Sequence, residues 1–184
     1  MANLLDKDIK EVIISEKELQ DRIKEMGKEI TEYYNEDDEI IMIGILRGAV
    51  LFMSDLARNI NLHLTFDFMD VSSYGESTTS SGVVRIIKDL EENIENKHVL
   101  IAEDIMDTGL TLKHVVEMLK TRNPASIKIA TLLDKPDRRV QKKITADFNG
   151  FEVPDEFVVG YGLDYAEKYR NLPYIGVLKE EMYN

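Results

Sequence analysis

A chain of 184 residues, 43% hydrophobic and 32% charged, suits one compact domain with a buried core and excludes general disorder. The absence of cysteine excludes a disulfide scaffold and thiolate metal sites, and agrees with a reducing compartment. A formal net charge of −12 argues against nucleic-acid binding, and it means that a polyanionic substrate would need locally focused positive charge or a divalent cation.

The chain opens with MANLLDKDIKEVIISEKEL, where charges break every apolar run long before the ~20 residues of a membrane span. Neither a membrane partner nor a secretory signal is expected, and the cytoplasm is the default location. In residues 15–34, Leu19, Ile23, Met26, Ile30 and Tyr33 recur at helical intervals behind a capping box of Ser15 and Glu18. EIIMIGIL, 39–46, is short, apolar and β-branched, the pattern of a buried parallel strand. Residues 48–60 return to helical spacing. LHLTFDFMDV, 62–71, alternates Leu62, Leu64, Phe66 and Phe68 on one face of a strand. The small polar segment SSYGESTTSSG, 72–82, reads as a mobile loop before the strand-like VVRII.

A turn at 89–97 leads to HVLIAEDI, a second buried strand, then to the helical LTLKHVVEMLKTR and a third buried strand, SIKIATLLD. FVVGYG and YIGVLK read as two late strands. The alternation predicts an α/β fold: a largely parallel central sheet flanked by helices, in a single domain spanning 1–184. Its core is expected over about 36–135. A small hood lobe is expected from the N-terminal segment, first helix included, and from about 136–184.

VLIAEDIMDTGLTL, 99–112, carries the chemistry. A buried strand ends in Glu103 and Asp104, a loop holds Asp107, Thr108, Gly109, Leu110 and Thr111, and a helix follows. Ligands of open α/β sheets bind beyond the carboxyl ends of strands, where helix N-termini offer free N–H groups. Thr108, Gly109 and Thr111 supply the hydroxyls and close backbone approach that a phosphate monoester requires. Glu103 and Asp104, acceptors when ionised, suit the two hydroxyls of a ribose or a bound Mg²⁺. The bland alternative is a strand followed by a helix capped by Asp107 or Thr108. Similarly, the basic cluster Lys135, Arg138, Arg139, Lys142 and Lys143 reads by itself as a solvated turn.

The same stretch resembles the phosphoribosyl-pyrophosphate signature of the type I phosphoribosyltransferases: four apolar residues, two acidic, two variable, then Asp-Thr-Gly-x-Thr. ILRGAVLFMSDL, DFMDVSSYGESTTSSG, LLDKPDRR and FEVPDEFVVGYGLDYAEKYRNLPYIGVL resemble, in the same order, segments of hypoxanthine-guanine phosphoribosyltransferases. Ala102 and Met106 stand where that family usually has larger branched aliphatics, and Arg47 where lysine is also common; none of these removes a functional atom.

The resemblance implies a Mg²⁺-dependent reaction in which hypoxanthine or guanine and phosphoribosyl pyrophosphate give IMP or GMP and pyrophosphate. It implies that Glu103 and Asp104 hold the ribose diol and the metal, and that Asp107 faces N7 of the purine as general acid/base. The 107–111 loop would hold the 5′-phosphate. Arg47 and Gly48 would form a pyrophosphate loop preceded by a cis peptide at Leu46–Arg47. Lys135 would donate to the 6-oxo group, Phe157 would stack on the base, and backbone groups near Val158 would read the opposite ring edge. Asp164 would meet pyrophosphate through the metal's water shell and Arg170 directly. Ser73 and Tyr74 would lie on a mobile loop that closes over the reaction. A homodimer or homotetramer is also implied. The rival readings are a sibling enzyme preferring xanthine, or a regulator that senses phosphoribosyl pyrophosphate. A phosphate-loop kinase is dropped, because the chain lacks the Gly-Lys-Ser/Thr sequence.

Overall fold

The apolar run at 40–46 forms the strand β2 (Ile40–Leu46), buried along all but its last residue. Burial on both faces leaves the backbone N–H and C=O groups only neighbouring strands as partners, and β2 has a parallel strand on each side. The computed structural model describes residues 4–73 and 84–183. Among them, a six-stranded sheet runs in the order β4 (Val84–Lys88), β3 (Leu64–Ser73), β2, β5 (His98–Met106), β6 (Ser126–Asp134), β7 (Phe148–Glu152). All neighbours are parallel except the β3–β4 edge pair.

Helix α1 (Glu16–Tyr33) begins at the expected capping box, with Ser15 and Glu18 satisfying each other's orphan N–H groups. Its apolar stripe of Leu19, Ile23, Met26 and Ile30 is fully buried, against the same sheet face as Phe52, Met53 and Leu56 of α2 (Val50–Arg58). The opposite face is covered by α3 (Leu110–Lys120) through Leu112, Val115, Val116 and Leu119. The first helix therefore belongs to the main core, not to the hood. The edge strand β7 likewise extends the main sheet past the expected limit at about 135. Sequence reading missed β7 because FNGFE is short and lacks a clear period.

The hood is a three-stranded antiparallel sheet of β1 (Ile9–Ile14), β9 (Ile175–Leu178) and β8 (Val158–Val159), in that order. The expected strand FVVGYG is cut to two residues, because Gly160, Tyr161 and Gly162 all take positive φ and turn the chain. Hood and core are joined where the Tyr161 hydroxyl donates to the Asp55 carboxylate on α2.

The alternation along β3 has a different outcome from the simple apolar-inside pattern. Phe66 is exposed, whereas Asp67 and Met69 on the other face are buried. Asp67 tolerates this because its carboxylate accepts from the backbone N–H groups of Phe68, Glu91 and Glu92 at 2.7–2.9 Å. Burial alone would raise its pKa, but these donors and Lys88 outweigh it and hold the group below the usual range. The buried carboxylate thus anchors the 89–97 turn to the sheet.

Candidate active site

At the carboxyl ends of the parallel strands lies a cavity of about 270 Å³. It is lined by the end of β2 with Arg47 and Gly48, the end of β5, the loop into α3, and Asp164 and Arg170 from the hood. Glu103, Asp104, Asp107, Thr108, Gly109 and Thr111 all contribute to its wall.

The 107–111 loop enters α3 through Gly109, which takes φ +77° as the N-cap residue, with no side-chain cap on the helix. A residue with Cβ rarely adopts that conformation. The reading of Asp107 or Thr108 as an ordinary cap is therefore set aside. The Thr108 hydroxyl only weakly accepts from Leu110 N–H at 3.4 Å. First-turn amides have no intrahelical partners, and here they border the cavity as a potential anion cradle.

The back of this loop is held by a residue that sequence reading left in a solvated turn. The Arg139 side chain is only 10% exposed, although Lys142 and Lys143 beside it are exposed. Its guanidinium donates to the backbone carbonyls of Asp107 (3.0 Å), Ile144 (2.8 Å) and Met106 (3.1 Å), and pairs with Asp134. The N–H groups of Val140 and Gln141 both reach the Thr108 carbonyl at 3.1 Å. Loop carbonyls are thus engaged on the side away from the cavity. Composition cannot separate a buried arginine from an exposed one, so only the doublet Arg138-Arg139 hinted at this.

Glu103 and Asp104 form the acidic end of the cavity. Glu103 Oε2 is shielded from solvent and, among the described residues, has no hydrogen-bond partner. Burial, and then the charge of Asp104, push the Glu103 carboxyl well above its ordinary range. Burial also pushes Asp104 up, to about 6, against the opposing pull of the Ile105 N–H at 2.8 Å and of Arg170. Two neighbouring acids with an unsatisfied oxygen fit a sugar diol or a divalent cation. Among the described residues, no group of three or more His, Asp or Glu could hold a metal by themselves. A cation here would draw further ligands from substrate and water.

Asp107 extends toward a second cluster. Its Oδ1 lies 3.0 Å from Arg138 Nε, and Arg138 also donates to Asp155 at 3.2 Å. Lys135 is buried, its ammonium donating to the Glu156 carbonyl at 2.6 Å and lying 3.8 Å from Asp155. Burial lowers the Lys135 pKa, partly offset by Asp107 and Asp155. Its backbone N–H donates to Met106 O at 3.0 Å, which fixes it to the end of β5. Phe157 is 40% exposed, stacked on Tyr183 (centroids 5.1 Å) with its edge to Tyr165 (5.5 Å). Val158 is buried in β8 opposite Val177. Lys135, Phe157 and Val158 thus stand outside the main cavity wall, and Lys135 is linked to it through Asp155, Arg138 and Asp107.

At the mouth, the expected cis peptide is present at Leu46–Arg47. Arg47 donates to Glu167 at 2.8 Å, and Arg170 pairs with both Asp164 (2.9 Å) and Glu167 (3.3 Å). Glu167 was not anticipated from the sequence. Ser73 ends β3 opposite Val84, while Tyr74 and the rest of the expected mobile loop lie outside the described residues.

Known proteins resemble this chain in sequence and fold. Residues 14–166 match the phosphoribosyl transferase domain family. The chain is 58% identical to a hypoxanthine-guanine phosphoribosyltransferase of Bacillus subtilis, covering 98% of this chain and 99% of that one. A crystal structure of a hypoxanthine phosphoribosyltransferase from Staphylococcus aureus superposes with a TM-score of 0.96 at 53% identity, over 100% of this chain and 99% of that one. A hypoxanthine-guanine phosphoribosyltransferase from Bacillus anthracis, with a HEPES molecule in its active site, gives 0.88 at 45% identity over 93% and 99% of the two chains. Identity of this level across nearly the whole length spans the acid pair, the loop into α3 and the hood alike. The chain belongs to the hypoxanthine-guanine phosphoribosyltransferases, within the phosphoribosyltransferase family.

Proposed function

We propose that the protein is a purine-salvage enzyme, transferring 5-phosphoribosyl from phosphoribosyl pyrophosphate to hypoxanthine or guanine to give IMP or GMP and pyrophosphate. The observation that carries this reading is the joining, in one cavity, of a helix-entry loop and a buried acid pair with two arginines at its mouth. The loop 107–111 suits the 5′-phosphate, Glu103 and Asp104 suit the ribose diol, and Arg47, Gly48 and Arg170 suit the pyrophosphate. Asp107, partly buried at the end of the cavity beside Arg138, is the candidate group that takes the proton at N7 as the glycosidic bond forms. Lys135 would donate to a 6-oxo group. Adenine would present a donor to that donor, leaving both buried and unsatisfied.

Mg²⁺ would be held beside the buried carboxylates Glu103 and Asp104, with Asp164 reaching it through water and the remaining ligands coming from substrate. When bound, it would neutralise the pyrophosphate leaving group. Charged substrates of this kind do not cross membranes, which supports action in the cytoplasm; no helix among the described residues is long and apolar enough to span a bilayer.

The deciding experiment is an assay for IMP formation with and without Mg²⁺, using hypoxanthine, guanine, xanthine and adenine in parallel. Activity confined to 6-oxopurines and dependent on Mg²⁺ supports the proposal. A preference for xanthine would move the specificity, and no turnover of any base would remove the activity.

A further inference from the structure

Arg47 and Arg170 approach the cavity mouth from different parts of the fold, one from the loop after β2 and one from the hood. They converge on a single atom, Glu167 Oε2, at 2.8 and 3.3 Å. Among the described residues, this is the one hydrogen bond that the Arg47 guanidinium makes. Glu167 is presented for it: its N–H donates to Asp164 Oδ2 at 2.8 Å, and Ala166 and Glu167 both take positive φ, at +50° and +62°. The arginines in turn hold the Glu167 carboxyl below its ordinary range, Arg170 most strongly, so it stays ionised. Arg170 has two further partners: Asp164 Oδ1 at 2.9 Å shares the same arm, and the Gly162 carbonyl at 2.8 Å fixes the other.

We infer that Glu167 is a resident anion that occupies the two pyrophosphate-binding arginines between turnovers and is displaced when pyrophosphate or phosphoribosyl pyrophosphate enters. This rests on the proposed assignment of Arg47 and Arg170 to pyrophosphate. A carboxylate between two guanidiniums supplies one negative charge where a pyrophosphate supplies several, along with more acceptor oxygens. It therefore relieves the repulsion between the two cations in the empty site while remaining the weaker competitor. Both Arg47 and Glu167 are well exposed, at 65% and 63% of the side chain, so solvent screens the pair and the exchange is inexpensive. Glu167 is thus a positioning and release residue. It keeps the arginines oriented for the incoming substrate and recaptures them as pyrophosphate leaves.

The test is calorimetric titration of the free enzyme with magnesium pyrophosphate, for wild type, Glu167→Gln and Glu167→Ala, alongside steady-state kinetics. Both variants should bind pyrophosphate about two- to fivefold tighter than wild type, the scale of one exposed ion pair. The KM for phosphoribosyl pyrophosphate should fall by a similar factor, the KM for hypoxanthine should stay constant, and the gain should shrink as salt is raised. Unchanged or weaker pyrophosphate binding in both variants overturns the inference; weaker binding would make Glu167 a ligand of the substrate or its metal. If wild type binds no pyrophosphate at all, it is the assignment of the arginines that fails, before the role of Glu167 is reached.

Discussion

Gly48 lies so close to Asp104 that a methyl group on it would fall 1.6 Å from Asp104 Oδ2. On its other side, a methyl on Gly162 (φ +103°) would fall 2.0 Å from the Gly48 carbonyl. The loop after β2 is therefore wedged between the Asp104 carboxylate and the backbone of the hood. Gly48→Ala should displace the Asp104 carboxylate and raise the KM for phosphoribosyl pyrophosphate. A misplacement of about 1 Å at such a site costs on the order of 10²-fold in kcat/KM. Steady-state kinetics on the alanine variant check this, and near-normal kcat/KM would show that the loop can shift at no cost.

Asp107 sits between the cavity and the cluster of Lys135, Arg138 and Asp155, its carboxylate 3.0 Å from Arg138. If it moves the N7 proton, Asp107→Asn should lower kcat by about 10²–10⁴-fold. Dissociation constants for hypoxanthine and phosphoribosyl pyrophosphate should change little. Equilibrium binding measured beside single-turnover rates separates the two effects, and a variant with ordinary turnover would remove Asp107 from the proton transfer.

The acid pair makes the free enzyme less stable than it would be with neutral groups. The Asp104 carboxyl is raised by burial to about 6, from an unfolded value near 4. Between those values the folded state holds more protons than the unfolded one. The group's contribution to stability is therefore greatest below the unfolded pKa, falls as pH rises, and is fully lost above about 6. Asp104→Asn keeps an acceptor for the Ile105 N–H and removes the charge. It should raise the stability of the ligand-free protein on the order of 2 kcal/mol at pH 8, with little gain near pH 4. Chemical denaturation of both proteins at the two pH values tests the sign, and equal stabilities at pH 8 would contradict it.

Lys135 is 6% exposed and donates to the Glu156 carbonyl. Lys135→Met keeps the bulk and removes the donor. The expected result is a ~10- to 10²-fold rise in KM for hypoxanthine and guanine, the scale of one lost hydrogen bond to a charged group. Discrimination against adenine should narrow at the same time. A base-panel assay in which the 6-oxopurines keep their lead would place selectivity elsewhere.

Arg139 engages three backbone carbonyls and a carboxylate behind the 107–111 loop. Arg139→Met leaves Asp134 without its cation and removes the guanidinium donor from the Asp107 and Ile144 carbonyls, a loss of about 3–5 kcal/mol in unfolding free energy. In the fraction that folds, the KM for phosphoribosyl pyrophosphate should rise more than the KM for hypoxanthine. Denaturant titration and kinetics on the same preparation read both, and an unaffected phosphoribosyl pyrophosphate KM would limit Arg139 to a stability role.

The sequence by itself determined the parts whose physics is local. The branched run at 40–46 specifies a two-sided buried strand, and Ser15 with Glu18 specifies where α1 starts. The order of acids, threonines and glycine at 103–111 specifies a strand end and a helix-entry loop, because residue type and spacing carry that information along a few neighbouring positions. What only the tertiary structure decided depends on partners distant in the chain. The docking of α1 on the main sheet, the burial of Asp67 rather than Phe66, and the place of β7 rest on packing between segments with no local signature. The same holds for Arg139 behind the loop and Glu167 between two arginines, because a charged side chain takes its role from the groups that folding brings against it.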